Sequence, residues 1–265
     1  MNKEEEKKIL FSQREDERES FKDYFDDFCD EGYGPKVLSG ITRDWVYMYQ
    51  DRAAFETLRE IKKSNDFENA HLLDVGSTFY AVLFFSSLFP TTYLEPRLDG
   101  QEKDVPFTLP FLRLSFVKGE AQDIPCNDNS FTLLTSLHAL EHFGLGRYGD
   151  ELDYYGDQKG LKEFNRVLKP GGQLILSVPA SYDSRVEFNG QRVYSPDIID
   201  DMLERAGFEI SDRAYIVALG LNSRYDDNGE ILEMMEPISR NPDTLKLLQG
   251  RHQQAAYMTF SRKVR

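Results

Sequence analysis

The chain has 265 residues, of which 40% are hydrophobic and 13% aromatic, enough to bury one sizeable core in a single large domain or a domain with additions. Its formal net charge of −14 argues against a nucleic-acid partner, because phosphate binding needs clustered Lys and Arg. A small acidic ligand stays open, since a local arginine pair can override the global sign. Cys29 and Cys126 match no metal spacing and are too few for a disulfide framework. The N-terminus carries no signal-peptide core, so a cytoplasmic protein is expected. The most hydrophobic run, Phe79 to Phe89, is about half the length of a membrane span, and no membrane partner is expected.

Residues 1–65 read as an acidic helical extension or cap, and residues 66–265 as the main domain. Phe21, Tyr24, Phe25 and Phe28 fall at i, i+3, i+4 and i+7, which puts one aromatic stripe on one helix face. That face packs on the main domain, closes over a ligand as a lid, or makes a homodimer contact. Gly32-Tyr-Gly-Pro35 breaks the pattern, and Ala53 to Lys63 resumes it. His71 to Ser77 is a first strand with its exit turn, Tyr80 to Leu88 an apolar helix, and Thr91 to Glu95 a second strand. Residues 97–112 read as an extended connection and Leu114 to Val117 as a third strand.

Phe131 to His138 is a buried strand feeding a polar loop. A helix follows, stopped by Pro170 and Gly171-Gly172, and a further strand runs to Pro179. Ser181 to Val193 reads as a loop. Ser195-Pro196 opens a helix with a good N-cap and proline at its first position. Ala206-Gly207 ends that helix and leads into another strand. Residues 222–254 are polar and irregular, and Ala256 to Ser261 forms a last strand, plausibly antiparallel at an edge. Strands alternating with helices predict a doubly wound α/β sheet.

A strand ending Asp74-Val-Gly76-Ser77 before a helix offers backbone N–H groups to a nucleotide-like ligand at the carboxyl edge of the sheet. Glu95 lies 19 residues after Gly76 (95 − 76), where such folds place a carboxylate on ribose hydroxyls. With Gly119-Glu120-Ala121-Gln-Asp-Ile-Pro125 and Leu168-Lys-Pro-Gly-Gly172, the set resembles the class I, Rossmann-like S-adenosylmethionine-dependent methyltransferases over about residues 68–215 and the closing strand. The resemblance implies a mostly parallel seven-stranded sheet and S-adenosylmethionine as cofactor. Its methionine end is then held at Asp74, Gly76 and Ser77, its ribose by Glu95 and its adenine between Glu120 and Ala121. The exit of the fourth strand, which approaches the cofactor in that family, is Ser136, Leu137 and His138, with Ser136 and Leu137 as cofactor-binding candidates. The family's Asp-x-Gly-x-Gly-x-Gly turn is here interrupted by Thr78 and Tyr80.

The segment Glu141-His-Phe-Gly-Leu-Gly-Arg-Tyr-Gly-Asp150, with a later Asn189-x-x-Arg192-x-Tyr194, is similar to a little-characterised methyltransferase subgroup of unassigned substrate. A glycine-rich loop with interleaved His, Arg, Tyr and Asp is costly to order and poor for core packing, so it is expected to line an acceptor site. The alternative is a surface loop whose Asp and Arg pair with each other. His138, His142 and Asp150 are the candidate catalytic residues, the histidines as general bases. Arg147, Tyr148, Asn189, Arg192 and Tyr194 are candidates for binding the acceptor, the arginines by clamping an anion. No metal is assigned, because nothing fixes a geometry for His138, His142, Asp150, Asp153 and Asp157. The expected acceptor is a small polar molecule, carbohydrate-like or phosphorylated, methylated on oxygen. A non-catalytic scaffold on the same fold and a nicotinamide-dependent oxidoreductase are the alternatives.

Overall fold

In the computed structural model, residues 41–64, 67, 69–96, 113–146, 152–182, 184–187, 191–216, 223–225, 231–234, 238–240 and 255–264 are described. The aromatic stripe, the 97–112 connection, Arg147, Tyr148, Asp150 and Asn189 lie outside them.

Helix α1 (Ile41–Lys62) leads into strand β1 (Leu72–Val75), helix α2 (Phe79–Leu88), β2 (Thr91–Leu94), β3 (Leu114–Val117) and β4 (Phe131–Leu137). A 3-10 turn at Leu140–His142 precedes α3 (Gly156–Val167) and β5 (Leu168–Ala180). The chain continues through β6 (Arg185–Glu187), β7 (Gln191–Val193), α4 (Pro196–Arg205) and β8 (Phe208–Ile216). It then forms β9 (Ser223–Tyr225), β10 (Ile231–Met234), β11 (Ile238–Ser239) and β12 (Ala255–Lys263).

The central sheet has eight strands in the order β11-β8-β12-β5-β4-β1-β2-β3. The block β3-β2-β1-β4-β5 is parallel, and β12 runs antiparallel to both β5 and β8. The expected seven strands are thus joined by the two-residue β11 at the rim. β12 is not an edge strand but sits between two neighbours, which is why its residues from Ala255 to Ser261 are all buried.

Successive strand residues point to opposite faces and feed two cores. Leu73, Leu134, Leu174, Leu176 and Tyr257 meet Leu161, Phe164, Ile199 and Leu203 of α3 and α4 on one side. Leu72, Leu133, Ile175 and Met258 meet Ala54, Leu58, Ala81 and Phe85 of α1 and α2 on the other. Helices on both faces explain the near-continuous apolar strands.

Several boundaries differ from the sequence reading. Helix α1 begins at Ile41 rather than Ala53, because the unbroken apolar run Trp45 to Met48 has no helical period to betray it. Helix α3 ends at Val167, before Pro170, because Leu168 already pairs with Phe131 in the sheet. The register then jumps to Leu133 opposite Gln173, so Lys169 to Gly172 form an excursion within β5. The stretch 185–193 contains an antiparallel hairpin, β6 with β7, rather than a loop, and β9 pairs with β10 inside the region read as irregular. Among the described residues, no helix is long and apolar enough to cross a membrane.

Candidate functional site

The strand order reverses between β1 and β4, and open α/β sheets bind ligands at that crevice beyond the carboxyl ends of their strands. A cleft lies there, lined by Gly76, Glu95, Glu120, Ala121, His138 and His142, with Leu94 and Phe143 among its apolar walls. Six residues singled out in the sequence therefore converge on one hollow.

Four others, Asp74, Ser77, Ser136 and Leu137, are buried behind its wall and do not line it. Their polar atoms are spent on one another. Ser77 N donates to Asp74 Oδ1 at 3.1 Å, and Thr135 Oγ1 to Asp74 Oδ2 at 2.5 Å. Ser136 Oγ donates to the Val75 carbonyl at 2.9 Å, and Leu137 N to Ser77 Oγ at 3.1 Å. These bonds weld the exit of β1 to the exit of β4. Burial pushes the Asp74 carboxyl up to about 7, against the hydrogen bonds from Thr135 and Ser77.

Gly76 has φ +75°, and a Cβ there would stand 2.7 Å from Ala139 Cβ, so both conformation and space demand glycine. Thr78, at the second glycine position of the family turn, has φ −60° and caps α2 by accepting from Ala81 N, so glycine is not needed there. Tyr80 is largely exposed, and Phe79 stacks on Phe116; neither lines the cleft. The interrupted glycine pattern leaves the hollow open.

Glu95 follows β2, with its N–H donating to the Val117 carbonyl at 3.1 Å. Tyr93 OH lies 3.5 Å from Glu95 Oε2 and 3.4 Å from the Ser77 carbonyl, tying the tips of β1 and β2 together. The turn at Glu120 and Ala121 is fixed from below. Ile124 N donates to Glu163 Oε2 at 2.8 Å, and Arg166 donates to the carbonyls of Ile124 and Cys126, each at 2.8 Å. Glu163, Arg166 and Tyr93 were not singled out in the sequence; as lone residues of ordinary helix and strand type they carry no local signal.

At the other end stands His138, a non-glycine residue at φ +53°, held there by its N–H donating to the Ser177 carbonyl at 2.9 Å. Tyr47 of α1 meets its ring edge-on at 5.0 Å. Behind both histidines lies Glu141, fully buried, with Oε1 at 3.4 Å from His138 Nδ1 and 3.7 Å from His142 Nε2. Neither carboxylate oxygen of Glu141 has a well-formed hydrogen bond, and His138 Nε2 has none either. The sequence reading passed over Glu141 in favour of its neighbours.

Arg192 and Tyr194 are placed elsewhere. Arg192 is buried and donates to the carbonyls of Phe143 (2.7 Å) and Tyr154 (3.2 Å), with Asp157 Oδ2 at 3.4 Å from its Nε. Tyr194 OH donates to Asp157 Oδ2 at 3.0 Å, and burial together with that carboxylate raises its phenol well above the usual range. Both line a second, more apolar depression between the hairpin and helices α3 and α4, which shares no lining residue with the first cleft. Arg192 ties the Phe143 carbonyl to that of Tyr154 instead of presenting a free fork to an anion. Asp153 is paired with Lys159 at 2.6 Å. Among the described residues no three His, Cys, Asp or Glu side chains group as a metal site.

Comparison with known proteins bears on the fold. A family model described as "Caenorhabditis protein of unknown function, DUF268" matches residues 116–215. No curated protein matches the chain. Among solved structures, a Burkholderia thailandensis 1,6-didemethyltoxoflavin-N1-methyltransferase with bound 1,6-didemethyltoxoflavin and S-adenosylhomocysteine superposes with a TM-score of 0.52 at 15% identity. The match covers 97% of this chain and 90% of that one. A candidate methyltransferase from Bacillus halodurans gives 0.52 at 16% identity, over 80% of this chain and all of its own. The chain has the Rossmann-like methyltransferase fold. In that fold's terms the strand β12 is the antiparallel insertion beside β5.

Proposed function

We propose that the chain is an S-adenosylmethionine-dependent methyltransferase acting on an oxygen of a small polar acceptor, carbohydrate-like or phosphorylated. One observation carries it: Glu120 with Ala121, Glu95, Gly76 and His138 line a single cleft at the tips of adjacent strands. A carboxylate pair beside apolar Leu94, Ala121 and Phe143 suits a nucleoside, whose hydroxyls donate and whose base presents flat aromatic faces. Glu95 would accept from the ribose hydroxyls and Glu120 with Ala121 would bracket the base, while the bound sulfonium supplies the methyl group.

The chain's own contribution is placement and proton acceptance. His138 or His142, both on the cleft, takes the proton that the acceptor's hydroxyl must lose. The buried Glu141 carboxylate behind them stabilises the resulting imidazolium. Arg147, Tyr148 and Asn189 are proposed to contact the acceptor and Asp150 to act with the histidines, while Arg192 and Tyr194 tie Phe143, Tyr154 and Asp157 together.

Titration calorimetry with S-adenosylmethionine and S-adenosylhomocysteine tests this reading. Both should bind the wild-type chain, and Glu95→Ala should weaken both by about tenfold or more, the scale of losing a hydrogen bond to a charged group. A folded chain that binds neither at millimolar concentration refutes the cofactor and leaves only the fold.

A further inference from the structure

The sequence motifs assign the amino-acid end of the cofactor to the Asp74 turn, yet burial puts the Asp74 carboxylate out of a ligand's reach. It is fully buried, and each of its oxygens already accepts a hydrogen bond from within the wall. A different carboxylate is tied to the residues that follow Gly76, although it does not itself line the cleft. Asp51, on helix α1 and outside the stretch that resembles methyltransferases, accepts at Oδ2 from Thr78 Oγ1 at 3.2 Å. Thr78 in turn caps α2, directly beyond Gly76, so the contact locks Asp51 beside the β1 turn. Its other oxygen, Oδ1, is buried without a well-formed hydrogen bond.

The neighbourhood repeats the pattern. Among the described residues, the buried side-chain atoms lacking such a bond are Gln50 Nε2, Asp51 Oδ1, His138 Nε2, both oxygens of Glu141, and two hydroxyls on β12. Gln50, Asp51 and His138 meet where α1 crosses the tips of β4 and β5: Gln50 Oε1 accepts from Ser177 Oγ at 2.7 Å, and His138 is close enough to act on the Asp51 charge. Leaving buried polar atoms unsatisfied is costly, and native structures keep such sites where something else completes them. Burial pushes the Asp51 carboxyl up to about 6, only partly offset by Thr78, Gln50 and His138. The group that would relieve it is a cation with N–H donors.

The strand order supplies the direction. Glu95 lies at the tip of β2, Gly76 at the tip of β1 and His138 at the tip of β4, in the spatial order β2-β1-β4. A nucleoside with its ribose at Glu95 therefore extends its 5′ substituent past Gly76 toward His138 and Thr78, where Asp51 waits. We propose that Asp51 receives the ammonium group of the cofactor's amino-acid tail, so that helix α1 completes the cofactor site. This rests on the cofactor assigned under Proposed function.

The test compares two thioether nucleosides by calorimetry. S-adenosylhomocysteine carries the amino-acid tail, and 5′-methylthioadenosine lacks both its ammonium and its carboxylate. Asp51→Asn keeps an oxygen for Thr78 and removes the charge. It should weaken S-adenosylhomocysteine at least tenfold and change 5′-methylthioadenosine by less than twofold. Equal losses for both ligands would reduce Asp51 to a structural role, and an unchanged S-adenosylhomocysteine affinity would place the ammonium elsewhere; either overturns the assignment while the cofactor stands. Wild-type protein that binds neither nucleoside overturns the cofactor and the Asp51 role together. If Asp51→Asn melts below wild type, Asp51→Ser is measured the same way and must show the same selective loss.

Discussion

Asp74 illustrates how a motif residue can serve a site without touching its ligand. Its carboxyl is raised to about 7 by burial, whereas in the unfolded chain it titrates near 4. Between those values the folded protein holds a proton that the unfolded chain has lost, so this group's contribution to stability declines as pH rises through the window and is flat above it. Asparagine would keep an acceptor for Ser77 N, turn its amide toward the Thr135 hydroxyl, and carry no charge to bury. Relative to wild type, the melting temperature of Asp74→Asn should therefore climb from pH 4.5 to pH 7.5; parallel melting curves across that range would contradict the assignment. Arg192 makes the opposite case, a charge that is retained because it is fully used. Removing it strands Asp157 and several carbonyls, and Arg192→Ala should cost about 3 kcal/mol or more in denaturant melts with little change in slope. Arg192→Lys should recover little of this, since a single ammonium cannot span the Phe143 and Tyr154 carbonyls and Asp157 as the planar fork does.

Among the elements, what the sequence discloses depends on how local its cause is. The strands β1 to β4 were legible to within a residue or two, because each is a short run bounded by turn residues; β1, β2 and β4 are buried almost throughout, whereas the edge strand β3 leaves Ser115 and Phe116 exposed. Of the cleft residues, Gly76 and Glu95 were legible from their places at strand exits, whereas Glu120 and Ala121 were reached only through the family resemblance. The hairpin β6–β7 was missed because three-residue strands are too short to display alternation, although Asn189-Gly190 between them is a known hairpin-turn pair. The first half of α1 was hidden by its unbroken apolar run, and with it Asp51, a lone acid in an acidic segment. Its contact with Thr78 spans 27 positions of sequence and exists only once α1 has docked against α2. Arg192 looked like a ligand clamp because a sequence shows the charge and not the carbonyls that surround it.

At the scale of the molecule, a net charge of −14 on 265 residues means that acidic groups repel one another in the compact state more than in the expanded one. Screening should relieve this. Raising sodium chloride from low concentration to physiological strength, where the Debye length is about 8 Å, is expected to lift the melting temperature of the wild-type chain. A fall over that range would mean that exposed ion pairs such as Arg262 with Glu209 and Arg205 with Asp201 outweigh the repulsion.

The position of β12 has a consequence for how the chain is made. The slot between β5 and β8 is filled by the strand that emerges last from the ribosome among those described. Until then the nascent protein carries two open backbone edges flanking a gap, with the apolar partners of Tyr257 and Met258 uncovered on either face. Such edges recruit other chains as readily as their own missing strand. Translation that stalls short of Ala255 should therefore yield not a smaller folded protein but a sticky intermediate in need of a chaperone.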